Sequence, residues 1–406
     1  MHHAICGKNS VVIPLAHTFI GVQETLRLCA SIDWLRLHPQ DPDKAVYANR
    51  LGMSFLKKGL IPLSALNCEV TAPSYPSANP SCWIFAGCGG MGLGFQMAGF
   101  HVKYMVEKNS AAAATLRYNH LVRNSLENGD ASIFEEDVAL FLDKVEQRAP
   151  CYPKKGDPDH IHGSPPCQGV SAANRNGGKN DQANNECTFL FPRAVEIFRP
   201  RSVSMENVTG MLFEKNERYP QGVVAWLMSL GYQVRLLVLD ASEYGDPQAR
   251  KRIFLFGALM DSKLADKPAP THGKEKGKLP FVTVKDVLQV LEDVEPVLGS
   301  GRVMLKSGTI VSYHNVEGTV LTEIELLDAN KPAATVRRRN GIQHYLHGRS
   351  LSVRERARLQ SFPDYLYLCG RLTERNNQIG NAVPFNLAFA VAQVSWSLTP
   401  PGAIHE

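Results

Sequence analysis

From Cys82 onward, short apolar runs alternate with longer amphipathic ones. The short runs read as strands at Cys82–Phe85, Val102–Val106, His160–His162, Ser202–Met205, Val234–Leu239 and Ile253–Phe256. Between them, Phe189–Phe198 and Val223–Leu230 have helical spacing, and Gly231 closes the second. Strands alternating with helices predict an open α/β sheet. The alternation breaks over residues 258–348, a stretch rich in Lys, Gly and Pro that reads as a small domain or a large insertion. Helical spacing returns in SVRERARLQSF and again from Val383 to about Trp396. Residues 1–80 carry no readable motif and end in TAPSYPSANPS, a linker-like run. The expected units are therefore 1–80, 81–257, 258–348 and 349–406.

Composition narrows the class. Of 406 residues, 44% are hydrophobic and 20% charged, a globular balance that allows a sizeable core. No stretch approaches the roughly 20 apolar residues that span a bilayer. The N-terminus lacks a basic region before its apolar run, so no signal peptide is expected. The nine cysteines form no C-x-x-C pair, which argues against a disulfide framework or a zinc ribbon and predicts no metal site. Reduced thiols fit better, and one of them can be reactive. The net charge of +5 permits a polyanionic partner without demanding one. Locally, Arg337, Arg338 and Arg339 run together, and Arg349, Arg354, Arg356 and Arg358 follow; this basic stretch reads most simply as solvated surface.

Candidate chemistry begins in FAGCGGMGLGF, after the first strand. Gly87, Gly89 and Gly92 have G-x-G-x-x-G spacing, which allows a tight turn and close approach of a ligand to a helix N-terminus. The second strand ends in Glu107, where a carboxylate would bind ribose hydroxyls. Asp137, after a third weak element, could contact an adenine amino group. This pattern does not separate a dinucleotide from S-adenosylmethionine, and a plain glycine turn also accounts for the loop. HIHGSPPCQGVS is more informative. Pro165 and Pro166 stiffen the turn that leaves the strand, so Cys167 falls in a rigid loop at a strand's carboxyl end. RSVSMENV places Glu206 at the end of a neighbouring strand, facing the same crevice. Gln248, Arg250 and Arg252 alternate into a further strand, which predicts one polar face.

A cysteine and a glutamate so placed suit chemistry at cytosine. Carbon 5 of cytosine is a poor nucleophile until a thiolate adds to carbon 6. Glu206 would bond N3 and the exocyclic amine, and Arg252 the O2 side. Such a base must first leave the duplex stack.

These motifs, in this order, resemble the cytosine-5 DNA methyltransferases from about residue 80 to 400. FAGCGGMGLGF is similar to the family's first cofactor motif, GSPPCQG to its nucleophile loop, and MENV to its glutamate motif. QARKR, RERARLQSFPD and NQIGNAVP match later motifs. The resemblance implies an S-adenosylmethionine-dependent (Rossmann-like) α/β mixed sheet, with a smaller target-recognition domain at 258–348 before the C-terminal helices. It implies S-adenosylmethionine as cofactor and DNA as substrate, with Phe85, Leu190, Asn381 and Val383 lining the cofactor pocket beside Gly87, Gly89, Gly92, Glu107 and Asp137. The implied catalytic set is Cys167, Glu206, Arg252, Arg250 and Gln248. Val170 stands where the family usually has phenylalanine. The run ANRNGGKND is similar to the helicase-linked maintenance enzymes of fungi and algae, although no helicase motifs follow.

Other readings remain open at this stage. The tRNA-methylating branch shares these motifs, but its Cys-Phe-Thr tripeptide does not occur here. A non-catalytic DNA-binding relative would be expected to have lost Cys167 or Glu206. A nicotinamide oxidoreductase would leave PPCQ, ENV and GNAVP unexplained. A nuclear location is expected in a eukaryote and a cytoplasmic one in a bacterium.

Overall fold

The computed structural model describes residues 80–98, 100–124, 132–166, 186–292, 296, 303–304, 310–311, 325–338, 342–347 and 349–396. Residues 1–79 of the expected N-terminal extension lie outside them, as do Cys167, Val170 and the ANRNGGKND run.

Seven strands form one sheet: β1 (Pro80–Ile84), β2 (His101–Val106), β3 (Ser132–Phe134), β4 (His160–Gly163), β5 (Ser202–Val208), β6 (Tyr232–Asp240) and β7 (Lys251–Leu259). Their order is β3-β2-β1-β4-β5-β7-β6. The first five pair in parallel, whereas β7 runs antiparallel to both neighbours. Each expected strand is present, most of them longer than the apolar run alone suggested. β5 continues past Met205 because Glu206 and Asn207 pair with Phe254 and Ile253. The strand order reverses between β1 and β4, which is where open α/β sheets bind ligands, beyond the carboxyl ends of the strands.

Both faces of the sheet are covered. One face carries Cys82, Ile84, Ile161, Val203, Met205 and Leu255 against α3 (Val138–Glu146), α4 (Leu190–Phe198) and α5 (Arg218–Ser229). The other carries Trp83, Val102, Phe254 and Phe256 against α1 (Gly90–Met97) and the C-terminal helix α9 (Phe385–Trp396). α9 is apolar along most of its length, as a helix buried on several sides must be. It brings the end of the chain back to the first βα unit. The α1–α9 crossing depends on Gly94, since a Cβ there would lie 2.7 Å from the backbone of Ala388. Gly94→Val should therefore destabilise the fold by about 1–3 kcal/mol, the usual cost of overpacking. Chemical denaturation would show this, and an unchanged unfolding midpoint would contradict the close crossing.

Among the described residues of 258–348, beyond the end of β7, the regular structure is α6 (Val284–Leu288) with a helical turn after it, and short strand pairs at Val303–Met304 with Ile310–Val311 and Glu325–Leu326 with Ile342–Gln343. Val284, Leu288, Leu327, Ala333 and Val336 share a core with α7 (Val353–Leu359) and with Cys88 and Leu93 of the glycine segment. The basic stretch is not the solvated surface expected of it. Arg354 and Arg356 are buried, and Arg354 donates to the carbonyls of Pro363 and Leu366. Arg356 donates to the carbonyl of Arg337, and Arg349 forms a two-bond pair with Glu355. Unpaired carbonyls in irregular backbone need donors, and arginine supplies several from one side chain. Arg337 and Arg338 remain exposed.

Candidate active site

The loop after β1 turns sharply. Phe85 and Gly87 both have left-handed backbone (φ 57° each), and Gly87 tolerates this because it lacks a Cβ. The space beside Gly87 is open, with nothing within 4 Å of where a Cβ would be. Gly89 caps α1, and Gly92 lies in its first turn. The Gly87 N–H donates to Glu107 Oε2 (2.8 Å), and the Asn109 N–H donates to Oε1 (2.8 Å). The carboxylate is thus fixed at the end of β2 with lone pairs left over for a diol. Asp137 caps α3, accepting from the Ala139 N–H at 2.9 Å, while Lys108 Nζ lies 3.4 Å from its other oxygen. Phe85 and Leu190 are half-buried against the same core. Asn381, the last residue of α8 (Leu372–Asn381), is exposed, and Val383 is buried against Trp83 and Met91.

The second part of the crevice is built on β4, β5 and β7. Val208 pairs with Arg252, so Glu206, two residues earlier on β5, points to the same face of the sheet. Arg252 Nε lies 3.1 Å from Glu206 Oε1, and both side chains are nearly buried. The Ser164 hydroxyl also bonds Glu206. Burial raises the Glu206 pKa above the ordinary carboxylate range, and Arg252, Arg250 and Ser164 oppose that rise. Next door, Asn207 Nδ2 donates to the carbonyl of Pro165 (3.2 Å) and ties the base of the cysteine loop to β5.

Gln248, Arg250 and Arg252 do not act as the single polar group that their alternation suggested. Gln248 Nε2 donates to Leu359 O and Gln360 Oε1 (3.0 Å each), and its Oε1 accepts from the Val336 N–H (2.7 Å). Arg250 donates to the carbonyls of Val336 (2.8 Å) and Gly380 (2.9 Å). These two residues lace the approach to β7 to segments far away in sequence, and Arg252 reaches the carboxylate.

A buried polar row was missed by the sequence reading. His160 Nδ1 lies 2.8 Å from Ser202 Oγ, and its Nε2 lies 3.0 Å from Ser204 Oγ. His162 Nδ1 lies 2.8 Å from Ser204 Oγ, and its Nε2 lies 2.9 Å from Ser164 Oγ. The signal was present in H-I-H-G-S and S-V-S-M-E, two period-2 polar runs on adjacent strands. Burial lowers the His160 pKa to about 3 and that of His162 well below its ordinary value. Both rings are therefore neutral when folded, whereas unfolded imidazoles charge near pH 6.5. Their contribution to stability is fully present above that pH and is lost as pH falls from there toward 3. The loss should reach about 1.4 kcal/mol per pH unit for each ring. Urea unfolding at pH 7.5 and 5.5 should show a steep loss in the wild type and a shallower one in His160→Phe. Equal slopes would contradict neutral buried rings.

Among the described residues, no group of three or more His, Cys, Asp or Glu is placed to hold a metal ion. No helix among them is long and apolar enough to cross a membrane.

A mixed sheet with an antiparallel β7, a glycine loop on β1 and a buried glutamate–arginine pair at the same edge defines the methyltransferase class of α/β enzyme. The family model for the C-5 cytosine-specific DNA methylases matches residues 83–317 and 304–395, and the chain belongs to that family. It is an enzyme of the DNA (cytosine-5)-methyltransferase type. It is 30% identical to the type II methyltransferase M1.HphI of Haemophilus parahaemolyticus, over 76% of this chain and 84% of that one. It is 29% identical to M.NgoPII of Neisseria gonorrhoeae (76% and 93%) and 27% identical to DNA (cytosine-5)-methyltransferase 3 of Arabidopsis thaliana (76% and 30%). The fold is shared with a protein described as a DNA modification methyltransferase, encoded within an E. coli prophage (TM-score 0.64, 24% identity, 79% and 99% coverage). It is also shared with S. pombe Dnmt2 (TM-score 0.55, 15% identity, 80% and 100% coverage).

Proposed function

We propose that the chain methylates carbon 5 of cytosine in DNA through a covalent bond between Cys167 and carbon 6 of a flipped-out base, with S-adenosylmethionine as donor. The observation that carries this reading is Glu206, buried at the crevice edge and bonded by Arg252 and Ser164. Its neighbour Asn207 holds Pro165, two residues before the cysteine.

The cofactor fits the first half of the crevice. The open space at Gly87 would take the close approach of a ligand, Glu107 would accept from ribose hydroxyls, and Asp137 would accept from an adenine amine. Phe85, Leu190, Asn381 and Val383 would line the pocket, with Gly89 and Gly92 shaping the turn. S-adenosylmethionine held there would supply an electrophilic methyl on a sulfonium sulfur.

In the second half, the Cys167 thiolate adds to carbon 6 of the base and makes carbon 5 nucleophilic. A raised carboxyl pKa suits Glu206 to hold a proton against N3 while accepting from the exocyclic amine. Arg252 holds the carboxylate in place and would meet the O2 side of the base. A base then takes the proton from carbon 5, and the thiolate leaves. Gln248 and Arg250 position these groups through the main chain of residues 336, 359 and 380. Residues 258–348 supply target recognition, and residues 349–406 complete the catalytic domain that begins at 81. The compartment is that of the DNA: the nucleus in a eukaryote, the cytoplasm in a bacterium.

DNA carrying 5-fluorocytosine tests the covalent step, because fluorine at carbon 5 cannot leave as a proton does. A denaturation-stable protein–DNA adduct is expected in the wild type and not in Cys167→Ser. An enzyme that turns over ordinary DNA yet forms no adduct would overturn the covalent route.

A further inference from the structure

His160, His162 and Ser164 alternate along β4 and its exit, and Ser202, Ser204 and Glu206 alternate along β5. The parallel register sets His160 beside Ser202 and His162 beside Ser204, and Ser164 and Glu206 follow on the same face. That face is otherwise core. The Trp83 ring lies 4.7 Å from His162, and the Phe95 and Phe100 rings lie 5.4 Å from His160. An apolar layer needs no imidazole for packing, and burying two is unfavourable unless every polar atom is bonded. Here the bonds run on without a break: Ser202, His160, Ser204, His162, Ser164, Glu206.

We propose that this row is a proton-ordering array that sets the protonation of Glu206, with His162 as a positioning residue for the methyl-transfer reaction. The proposal rests on Glu206 being the carboxylate that binds the target base.

The proton count supports it. A neutral imidazole has one N–H and one bare nitrogen, and a hydroxyl has one proton to give and lone pairs to receive. The two rings and three hydroxyls thus hold one donor proton for each of the five links. An ionised Glu206 can only accept, so Ser164 must donate to it. Ser164 then accepts from His162 Nε2–H, and His162 Nδ1 accepts from Ser204. Ser204 accepts in turn from His160 Nε2–H, and His160 Nδ1 accepts from Ser202. Every proton points toward Glu206, and both rings are Nε2–H tautomers. A protonated Glu206 donates to Ser164 instead. The row can then reverse, with both rings Nδ1–H and the Ser202 proton turned away. The two arrangements differ by the single proton on Glu206. Among the described residues, Arg252 and Arg250 are the charged groups that face this carboxylate, and both favour its ionised form. His162 faces His160 and the rings of Trp83 and Phe95. The array adds to the static pull of the arginines, since a row ordered toward Glu206 stabilises the ionised carboxylate more than the neutral one.

The test uses the full chain and methyl transfer to DNA as a function of pH, with Glu206→Gln marking the limb that belongs to Glu206. In His162→Phe, which keeps an aromatic ring and cuts the row, that limb should move up by about one pH unit, since nothing then orients the Ser164 hydroxyl toward the ionised carboxylate. kcat near neutral pH should not fall, because the raised limb leaves more of Glu206 protonated, and KM for DNA should stay within about twofold. His162→Gln, which keeps a donor toward Ser164, should bring the limb part of the way back. An active His162→Phe with an unmoved pH limb would overturn the proposal. Should that variant fail to fold, Ser204→Ala cuts the row between the rings and is read in the same way. Nitrogen-15 histidine spectra of the wild type at pH 7.5 give a readout independent of turnover. Both rings should share one tautomer, since Ser204 between them cannot pass the order on otherwise, and rings of opposite tautomer would overturn the array. A wild type with rings so ordered that transfers no methyl to DNA would instead tell against the functional reading.

Discussion

Cys167→Ser should lower methyl transfer to DNA by roughly 10⁴-fold or more, the scale on which loss of a covalent nucleophile acts. Cofactor affinity should change by less than about twofold, because the thiolate acts after binding. The physical reason is the ionisation of the nucleophile. A thiol with a free pKa near 8.5 forms a usable fraction of thiolate near neutral pH, and a serine hydroxyl does not. The loop's frame should survive the change, because the Asn207 amide to the carbonyl of Pro165 and the Ser164 hydroxyl to Glu206 do not involve the sulfur. Single-turnover transfer, with cofactor binding measured by calorimetry on the same sample, checks both halves. Turnover within tenfold of wild type would remove Cys167 from the mechanism.

Glu206→Gln should reduce kcat by about 10²–10³-fold, the cost of losing one preorganised electrostatic contact to a reacting base. The amide keeps the shape of the side chain but can neither pair as an anion with Arg252 nor hand a proton to N3. In the wild type, burial and the two arginines pull the carboxyl in opposite directions, and burial prevails. The group is thereby brought nearer the pH at which it can both hold and release a proton, as general acid–base work requires. KM for DNA should move little, since most of the affinity comes from phosphate contacts elsewhere. Steady-state kinetics at saturating cofactor would show this, and a loss below threefold would place Glu206 away from the base.

Much of the scaffold was legible in the sequence because each strand signals itself through its own neighbours. The β1, β2 and β5 runs are short, apolar and bounded by turn residues, and all three appear where expected. Glu206 was expected at a strand's end and lies two residues inside it. The extra length comes from pairing with β7, a segment some fifty positions away. The same distance hid the division of work among Gln248, Arg250 and Arg252. Their alternation was visible, but their partners at Val336, Leu359 and Gly380 were not. Arg354 and Arg356 read as surface charge because nothing local shows that carbonyls at 337, 363 and 366 lack donors. The histidine row was hidden differently. His160 and His162 were read within a strand, and only the register between β4 and β5 turns two unremarkable polar alternations into one bonded chain.

The central claim is methyl transfer to cytosine in DNA, and labelled methyl donor tests it most directly. S-adenosylmethionine with a labelled methyl is incubated with unmethylated DNA, hemimethylated DNA and tRNA side by side, with Cys167→Ser as control. Label at cytosine carbon 5 in DNA that disappears in the control is the predicted result. Label confined to tRNA, or label in DNA that persists without the cysteine, would contradict it.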